Sequence, residues 1–328
     1  GQAGAAPDPW GRSTHGMEGL QGGTRATARR AFKFVVLTAC AALALALASG
    51  PALAKKPAKK PKAPKVTFTT PVTPGSGYLA LGDSVPFGYE EAQVVPAPNY
   101  ADASSFIGYP EDLGSELHLT VANAACPGET SSSFINPSAQ SNGCENAPNG
   151  GSAYRTMWPL HVKYSGSQLN YAVSYLKTHK KVRLVSLMVG ANDLLICQQT
   201  TADHCASLVE QAGVLGTITA NDKTILSAIR NKAHYSGQIV VVNYYSPTAA
   251  LDSSTVLGNT TVASAIKSFH VEIADAFDAF AAADAHSSGN PCTAGLLTQL
   301  SGGGCGIHPS QAGAAVLALA VEKAIRIG

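Results

Sequence analysis

Four short apolar runs, each stopping at a small or polar turn, constrain this chain more than any other feature. They are "GYLALG" at 77–82, "LTVANAAC" at 119–126, "RLVSLMVG" at 183–190 and "QIVVVNYY" at 238–245. Cores such as "LVSLMV" and "IVVV" are apolar on successive residues, which suits strands covered on both faces. Between them lie "SQLNYAVSYLKTH" and "NDKTILSAIRNKAH", with apolar residues at helical spacing behind a Ser or Asn opening. Strand, helix, strand repeated along a chain predicts an α/β fold: a parallel sheet with helices on both sides. "VEIADAF" at 271–277 is a fifth strand or a helix, and the stretch after Pro309 reads as a closing helix.

The sheet-forming part begins well inside the chain. Residues 1–16 contain no Met, so Met17 is read as the start and 1–16 as an upstream non-native extension. Arg25, Arg29, Arg30 and Lys33 then precede "VVLTACAALALALA", and the small-residue pattern Ala52-Leu53-Ala54 follows. That order describes a cleaved secretory signal over 17–54, and "RRAF" suggests twin-arginine export. A membrane span would need roughly 20 apolar residues, more than this run supplies before Ser49 and Lys55. Residues 55–75 open with "KKPAKKPKAPK" and are expected to be a solvated Lys/Pro-rich linker. Residues 76–328, roughly 250, are long enough for one well-buried domain.

Charge changes meaning once these parts are separated. The whole chain carries 23 basic and 21 acidic residues; residues 1–54 hold five and two of them, and the tail six lysines. The domain keeps 12 basic against 19 acidic residues, a formal −7. That balance argues against a nucleic-acid-binding domain, while the lysines would permit loose contact with an anionic cell wall or membrane surface.

Cys126, Cys144, Cys197, Cys205, Cys292 and Cys305 form an even set in a chain read as exported. Six cysteines permit 15 connectivities. Closeness along the chain favours 126–144, 197–205 and 292–305, and no metal-ligand spacing accompanies them.

In an open parallel sheet, functional groups gather beyond the carboxyl ends of the strands. Gly82-Asp83-Ser84 follows the first run, Gly128 the second, and Gly190-Ala191-Asn192-Asp193 the third. A serine at a strand-to-helix turn presents its hydroxyl beside backbone N–H groups able to receive a negative charge. Asp83 is expected to brace that turn.

In order and spacing, "GDSVPFG", "NAACPGETSSSF", "GANDL" and "IHPSQAG" resemble the four blocks of the SGNH/GDSL hydrolase family. The resemblance spans about Tyr78 to Ala320 and is nearest to secreted actinobacterial lipases and esterases. It implies a three-layer α/β/α sandwich, flavodoxin-like, around a parallel sheet of about five strands. It further implies a monomeric, cofactor-free enzyme that hydrolyses small-molecule or lipid esters through an acyl-serine. Ser84 would be the nucleophile and His308, one of nine histidines, the general base and later acid. The Ser84 N–H, the Gly128 N–H and the Asn192 side-chain amide would form the oxyanion hole.

One departure bears on mechanism. The family pattern has an Asp three residues before the histidine, and here that position is Cys305. The expectation is therefore a Ser–His dyad whose ring is oriented by a backbone carbonyl near Cys305 to Gly306. Asp193 or Glu129 is the competing acid. A histidine base also implies activity that declines below about pH 6.5.

Phe87, Tyr89, Phe106 and "VVPAPNYADASS" are expected to line an acyl pocket. A carbohydrate acetylesterase and a catalytically silent wall-binding protein remain as alternatives. No G-x-S-x-G surrounds any serine, which argues against an α/β-hydrolase elbow.

Overall fold

The structure is a computed structural model that describes residues 70–328. The extension, the signal-like segment and most of the linker lie outside the described residues.

Five strands form one parallel sheet: β1 (Gly77–Gly82), β2 (Thr120–Asn123), β3 (Val182–Met188), β4 (Gln238–Val242) and β5 (Glu272–Ala274). Their order across the sheet is β2-β1-β3-β4-β5. In the first half of the chain the helices are α1 (Ser84–Phe87), α2 (Tyr109–Glu116), α3 (Ser131–Ile135), α4 (Tyr154–Met157) and α5 (Gln168–Thr178). α6 (Ala191–Thr200), α7 (Leu208–Ser227), α8 (Asp252–Ile266), α9 (Ala276–Ala283) and α10 (Gln311–Ala324) follow.

Successive side chains on a strand point to opposite faces, and β1 is buried on both. Leu79 and Leu81 share one core with Leu169 and Leu176 of α5 and Ile225 and Leu226 of α7. Tyr78 and Ala80 share the other with Tyr109 and Leu113 of α2, Phe280 of α9, and Leu317 and Val321 of α10. The result is a three-layer α/β/α sandwich.

The ambiguous "VEIADAF" holds both readings. β5 ends at Ala274, and Asp275 then caps α9 by accepting from the Asp278 N–H at 3.1 Å. α7 starts thirteen residues before the Asn221 opening; its first turns expose Leu208 and Val209, so no buried apolar stripe marks them in the sequence.

His308 does not lead the last helix. It sits on β7 (Cys305–Pro309), which pairs antiparallel with β6 (Leu297–Gln299) in a hairpin closed by glycines. Ser310 caps α10, accepting from the Gly313 N–H at 3.2 Å. The six cysteines form the disulfides Cys126–Cys144, Cys197–Cys205 and Cys292–Cys305. Among the described residues no helix is long and apolar enough to cross a membrane.

In this strand order the chain runs from β1 outward to β2 and then returns to β3. The crevice for ligands is expected beyond the carboxyl ends of β1 and β3, at that switch point.

Candidate active site

β1 ends in a turn that only glycine fits. Gly82 has φ +139°, and a Cβ there would lie 2.0 Å from the Met188 carbonyl oxygen of β3. The buried Gln168 side chain clamps the same residue on both sides, accepting from Gly82 N–H at 2.6 Å and donating to its carbonyl at 3.0 Å. Asp83 then caps α1, with Oδ1 accepting from the Val85 N–H at 3.1 Å and Oδ2 accepting from the Tyr244 hydroxyl. Burial pushes the Asp83 carboxyl up to about 6, although both hydrogen bonds and the His308 charge favour its ionised form. Ser84 occupies the first turn of α1, where helix geometry leaves the leading N–H groups without intrahelical acceptors.

The hairpin brings His308 to this turn. Its Nε2 lies 2.9 Å from Ser84 Oγ, and its ring packs edge-on against Tyr89 with centroids 4.9 Å apart. The group on the other ring nitrogen is not the expected backbone carbonyl. Glu91, which the sequence reading passed over, places Oε1 2.7 Å from His308 Nδ1. It has displaced the carbonyl because Gly306 carries no side chain: a Cβ there would lie 2.2 Å from Glu91 Oε1. The same oxygen accepts from the Ile307 N–H at 3.0 Å, and Oε2 accepts from the Thr298 hydroxyl at 2.6 Å. Burial works against the Glu91 charge, but the His308 charge and these hydrogen bonds outweigh it and hold the carboxyl at about 2.

Neither competing acid bonds to the ring. Asp193 turns to α3, accepting from Ser131 N–H at 2.8 Å and Ser131 Oγ at 2.7 Å, and burial lifts it to about 6. Glu129 is fully buried, accepts from Ser133 Oγ and from Gln168 Nε2 at 3.0 Å, and burial raises its pKa.

Gly128 and Asn192 line the same cleft as Ser84 and His308. Gly128 takes a left-handed turn at φ +82° after β2, and its carbonyl accepts from the Asn142 N–H at 2.8 Å. Asn192, in the first turn of α6, donates through Nδ2 to the Glu129 carbonyl at 3.1 Å, leaving its second amide hydrogen free for another acceptor. Asn142 Nδ2 donates to Asn192 Oδ1 at 2.9 Å.

The cleft holds about 250 Å3, and its walls beyond these groups are largely apolar: Leu194, Leu195, Leu215, Ile218, Leu257 and Val262. They come from α6, α7 and α8, not from the expected segment. Of the predicted pocket aromatics only Tyr89 lines the cleft. Phe87 and Phe106 lie fully buried behind it, in an aromatic cluster that Tyr89 shares with Tyr100 and Tyr154. In "VVPAPNYADASS", Tyr100 joins that cluster and Val94 bridges to Leu300.

Among the described residues, two clusters have the dimensions for a metal, Cys126–Glu129–Cys144 and Cys197–Cys205–Glu210. In both, the sulfurs are spent in disulfides and offer no thiolate.

The GDSL-like lipase/acylhydrolase family model matches residues 80–316, from β1 into α10. The chain belongs to this family. It is a carboxylic ester hydrolase of the GDSL type. Solved structures similar to this GDSL hydrolase include phospholipase A1 from Streptomyces albidoflavus NA297, 18% identical, covering 76% of this chain and 99% of that one, with a TM-score of 0.48. The lipase Lip_vut3 from a goat rumen metagenome is 14% identical, covering 76% and 97%, at 0.47. A catalytic mutant of the acetylxylan esterase Axe2 from Geobacillus stearothermophilus is 14% identical, covering 79% and 98%, at 0.46. Among curated proteins, none matches the chain.

Proposed function

We propose that this GDSL hydrolase cleaves lipid or other long-acyl esters through a Ser84–His308–Glu91 triad. The observation that carries the reading is the unbroken hydrogen-bonded path Ser84 Oγ, His308 Nε2, His308 Nδ1, Glu91 Oε1 at the mouth of an apolar cleft. Ser84 Oγ attacks the ester carbonyl carbon while its proton passes to Nε2. The C–O bond to the alcohol then breaks as Nε2 returns that proton to the leaving oxygen. A water deprotonated by the same nitrogen attacks the acyl carbon, the bond from that carbon to Ser84 Oγ breaks as Nε2 returns the proton to Oγ, and the acid leaves. Glu91 keeps the Nδ1 proton in place, so that Nε2 faces the serine as a base, and balances the ring's positive charge. The Ser84 N–H, the Gly128 N–H and the Asn192 amide receive the charge on the carbonyl oxygen.

Long acyl groups are favoured over acetyl groups by the cleft wall, where six aliphatic side chains from three helices face the reacting end. Three disulfides and the signal-like segment support secretion, with Lys55 as the mature N-terminus and the tail as a loose tether. A fluorophosphonate should add once to the protein and not to Ser84→Ala, read by intact mass. Absence of an adduct on folded protein would return the wall-binding alternative. Rates on acyl chains of increasing length, set against acetylated xylan, test the substrate class; a clear preference for the acetylated sugar would reverse it.

A further inference from the structure

We infer that Asn142 is a positioning residue for the oxyanion hole: together with the Glu129 carbonyl, its side chain holds the Asn192 amide with its N–H end available to the substrate. The inference rests on the oxyanion role proposed above for Asn192.

A side-chain amide is nearly symmetric in shape and opposite in chemistry at its two ends. If Asn192 turned over, an acceptor oxygen would meet the developing oxyanion where a donor is needed. Asn192 has no means of choosing for itself, so its partners must choose. The Glu129 carbonyl accepts at one end, at 3.1 Å from Nδ2, and Asn142 Nδ2 donates at the other, at 2.9 Å from Oδ1. Turning the amide over would set oxygen against oxygen and N–H against N–H at once. Both asparagines are buried, 3% and 5% exposed, so water cannot readily replace either partner.

Asn142 acts on the second donor as well. Its own N–H donates to the Gly128 carbonyl at 2.8 Å, tying the loop at 141–144 to the left-handed turn that carries the Gly128 N–H. The Cys126–Cys144 disulfide closes the same loop on the residue two before Gly128. Backbone and side chain of one residue thus span both halves of the hole, and among the described residues the hydrogen bond to Asn192 Oδ1 comes from Asn142.

The test is a double-mutant cycle on a soluble short-chain p-nitrophenyl ester, with the melting temperature of each variant alongside. Asn142→Ala should lower kcat by about 10- to 100-fold with KM within about twofold, because one misaligned donor approaches the loss of one donor. In an Asn192→Ala background the same change should alter kcat by less than about twofold, since nothing is left to orient. Asn142→Asp is isosteric and guards against misfolding; its oxygens offer the Asn192 oxygen no donor, so kcat should fall at least as far as in Asn142→Ala. Full kcat in either Asn142 variant, with Asn192→Ala impaired, overturns the positioning role alone. A further tenfold loss on adding Asn142→Ala to Asn192→Ala overturns it too, because Asn142 then acts independently. Full kcat in Asn192→Ala overturns both this inference and the oxyanion reading.

Discussion

Replacing Glu91 with Gln isolates what its charge contributes. The Glu91 carboxyl is held at about 2 against an ordinary 4.5. At about 1.4 kcal/mol per pH unit, that gap corresponds to about 3 kcal/mol of net preference for the ionised carboxyl, an upper figure for the His308 pairing because hydrogen bonds from Thr298 and the backbone supply part of it. The ring becomes protonated as Ser84 attacks, so this preference acts in the transition state, and losing it lowers kcat by up to about 10²-fold. A larger loss, about 10⁴, follows an amide that also reverses the imidazole tautomer. The hydrogen bonds here argue against reversal. Ile307 N–H and His308 Nδ1 both point at Oε1, whereas the Thr298 hydroxyl facing Oε2 can rotate from donor to acceptor and take the amide NH2. The substituted amide should therefore keep its oxygen on the ring, and Glu91→Gln should lose up to about 10²-fold in kcat with KM little changed. Steady-state kinetics on a soluble ester, with fluorophosphonate labelling rates in parallel, give the answer. A variant within about threefold of wild type would refute the triad and restore the dyad.

Gly306→Ala brings a methyl group to 2.2 Å from Glu91 Oε1 and 2.4 Å from Thr298 Oγ1, both movable side-chain ends; kcat should drop at least tenfold with little change in melting temperature, and a fully active variant contradicts the placement of Glu91. Asp83 and Asp193 are raised from 3.8 to about 6 by burial, so between about pH 4 and 6 the folded chain binds more protons than the unfolded one. Stability from these groups therefore declines as pH rises through that window, by about 3 kcal/mol for each as an upper figure. Denaturant melts at pH 4, 5, 6 and 7 should show the decline, and Asp193→Asn should flatten it; a rise over the same range rules it out. Leu215→Trp narrows the cleft between α6, α7 and α8 and should cut kcat/KM for long acyl esters at least tenfold while sparing acetyl esters. Equal losses on both would mean that long chains do not occupy that wall.

The sheet was readable because buried parallel strands advertise themselves. "GYLALG" coincides with β1, and "IVVV" lies within β4, since neither face needs polar residues to meet water. β5 is only three residues long, too short for a period to show. At the site, Ser84, Gly128 and Asn192 were legible from their places after strand ends, His308 only through the family resemblance, and the fold brings all four to one cleft. Glu91 and Asn142 were not. Each lies in a loop with no periodicity, and each finds its partner across a long stretch of chain, 217 residues for Glu91 and His308, 50 for Asn142 and Asn192. One signal for Glu91 was present. A glycine two residues before the histidine, on a strand whose i and i−2 side chains share a face, leaves a space beside the ring that some other group must fill.

That alternation also explains why an acid could leave position 305 and enter from elsewhere. On β7, residue 305 faces away from His308, and Cys305 uses that side to bond Cys292. The His308 side is open at Gly306, and Glu91 arrives there on a segment secured to the hairpin by the Val94–Leu300 bridge, in which Ser301 N–H donates to the Gln93 carbonyl at 2.8 Å, and by the Thr298 hydroxyl and Ile307 N–H on the Glu91 carboxylate. Glu91 and His308 are thereby both anchored on the same hairpin. What must then be fixed is that hairpin's position against the serine. Two consecutive residues after β4 provide it, Tyr245 donating to the Ile307 carbonyl at 2.6 Å and Tyr244 donating to Asp83 beside Ser84. The carboxyl end of β4 is the common reference for the Ser84 turn and the His308 hairpin, so a loosened Tyr244 or Tyr245 is expected to separate Ser84 from His308 without disturbing the contact between His308 and Glu91.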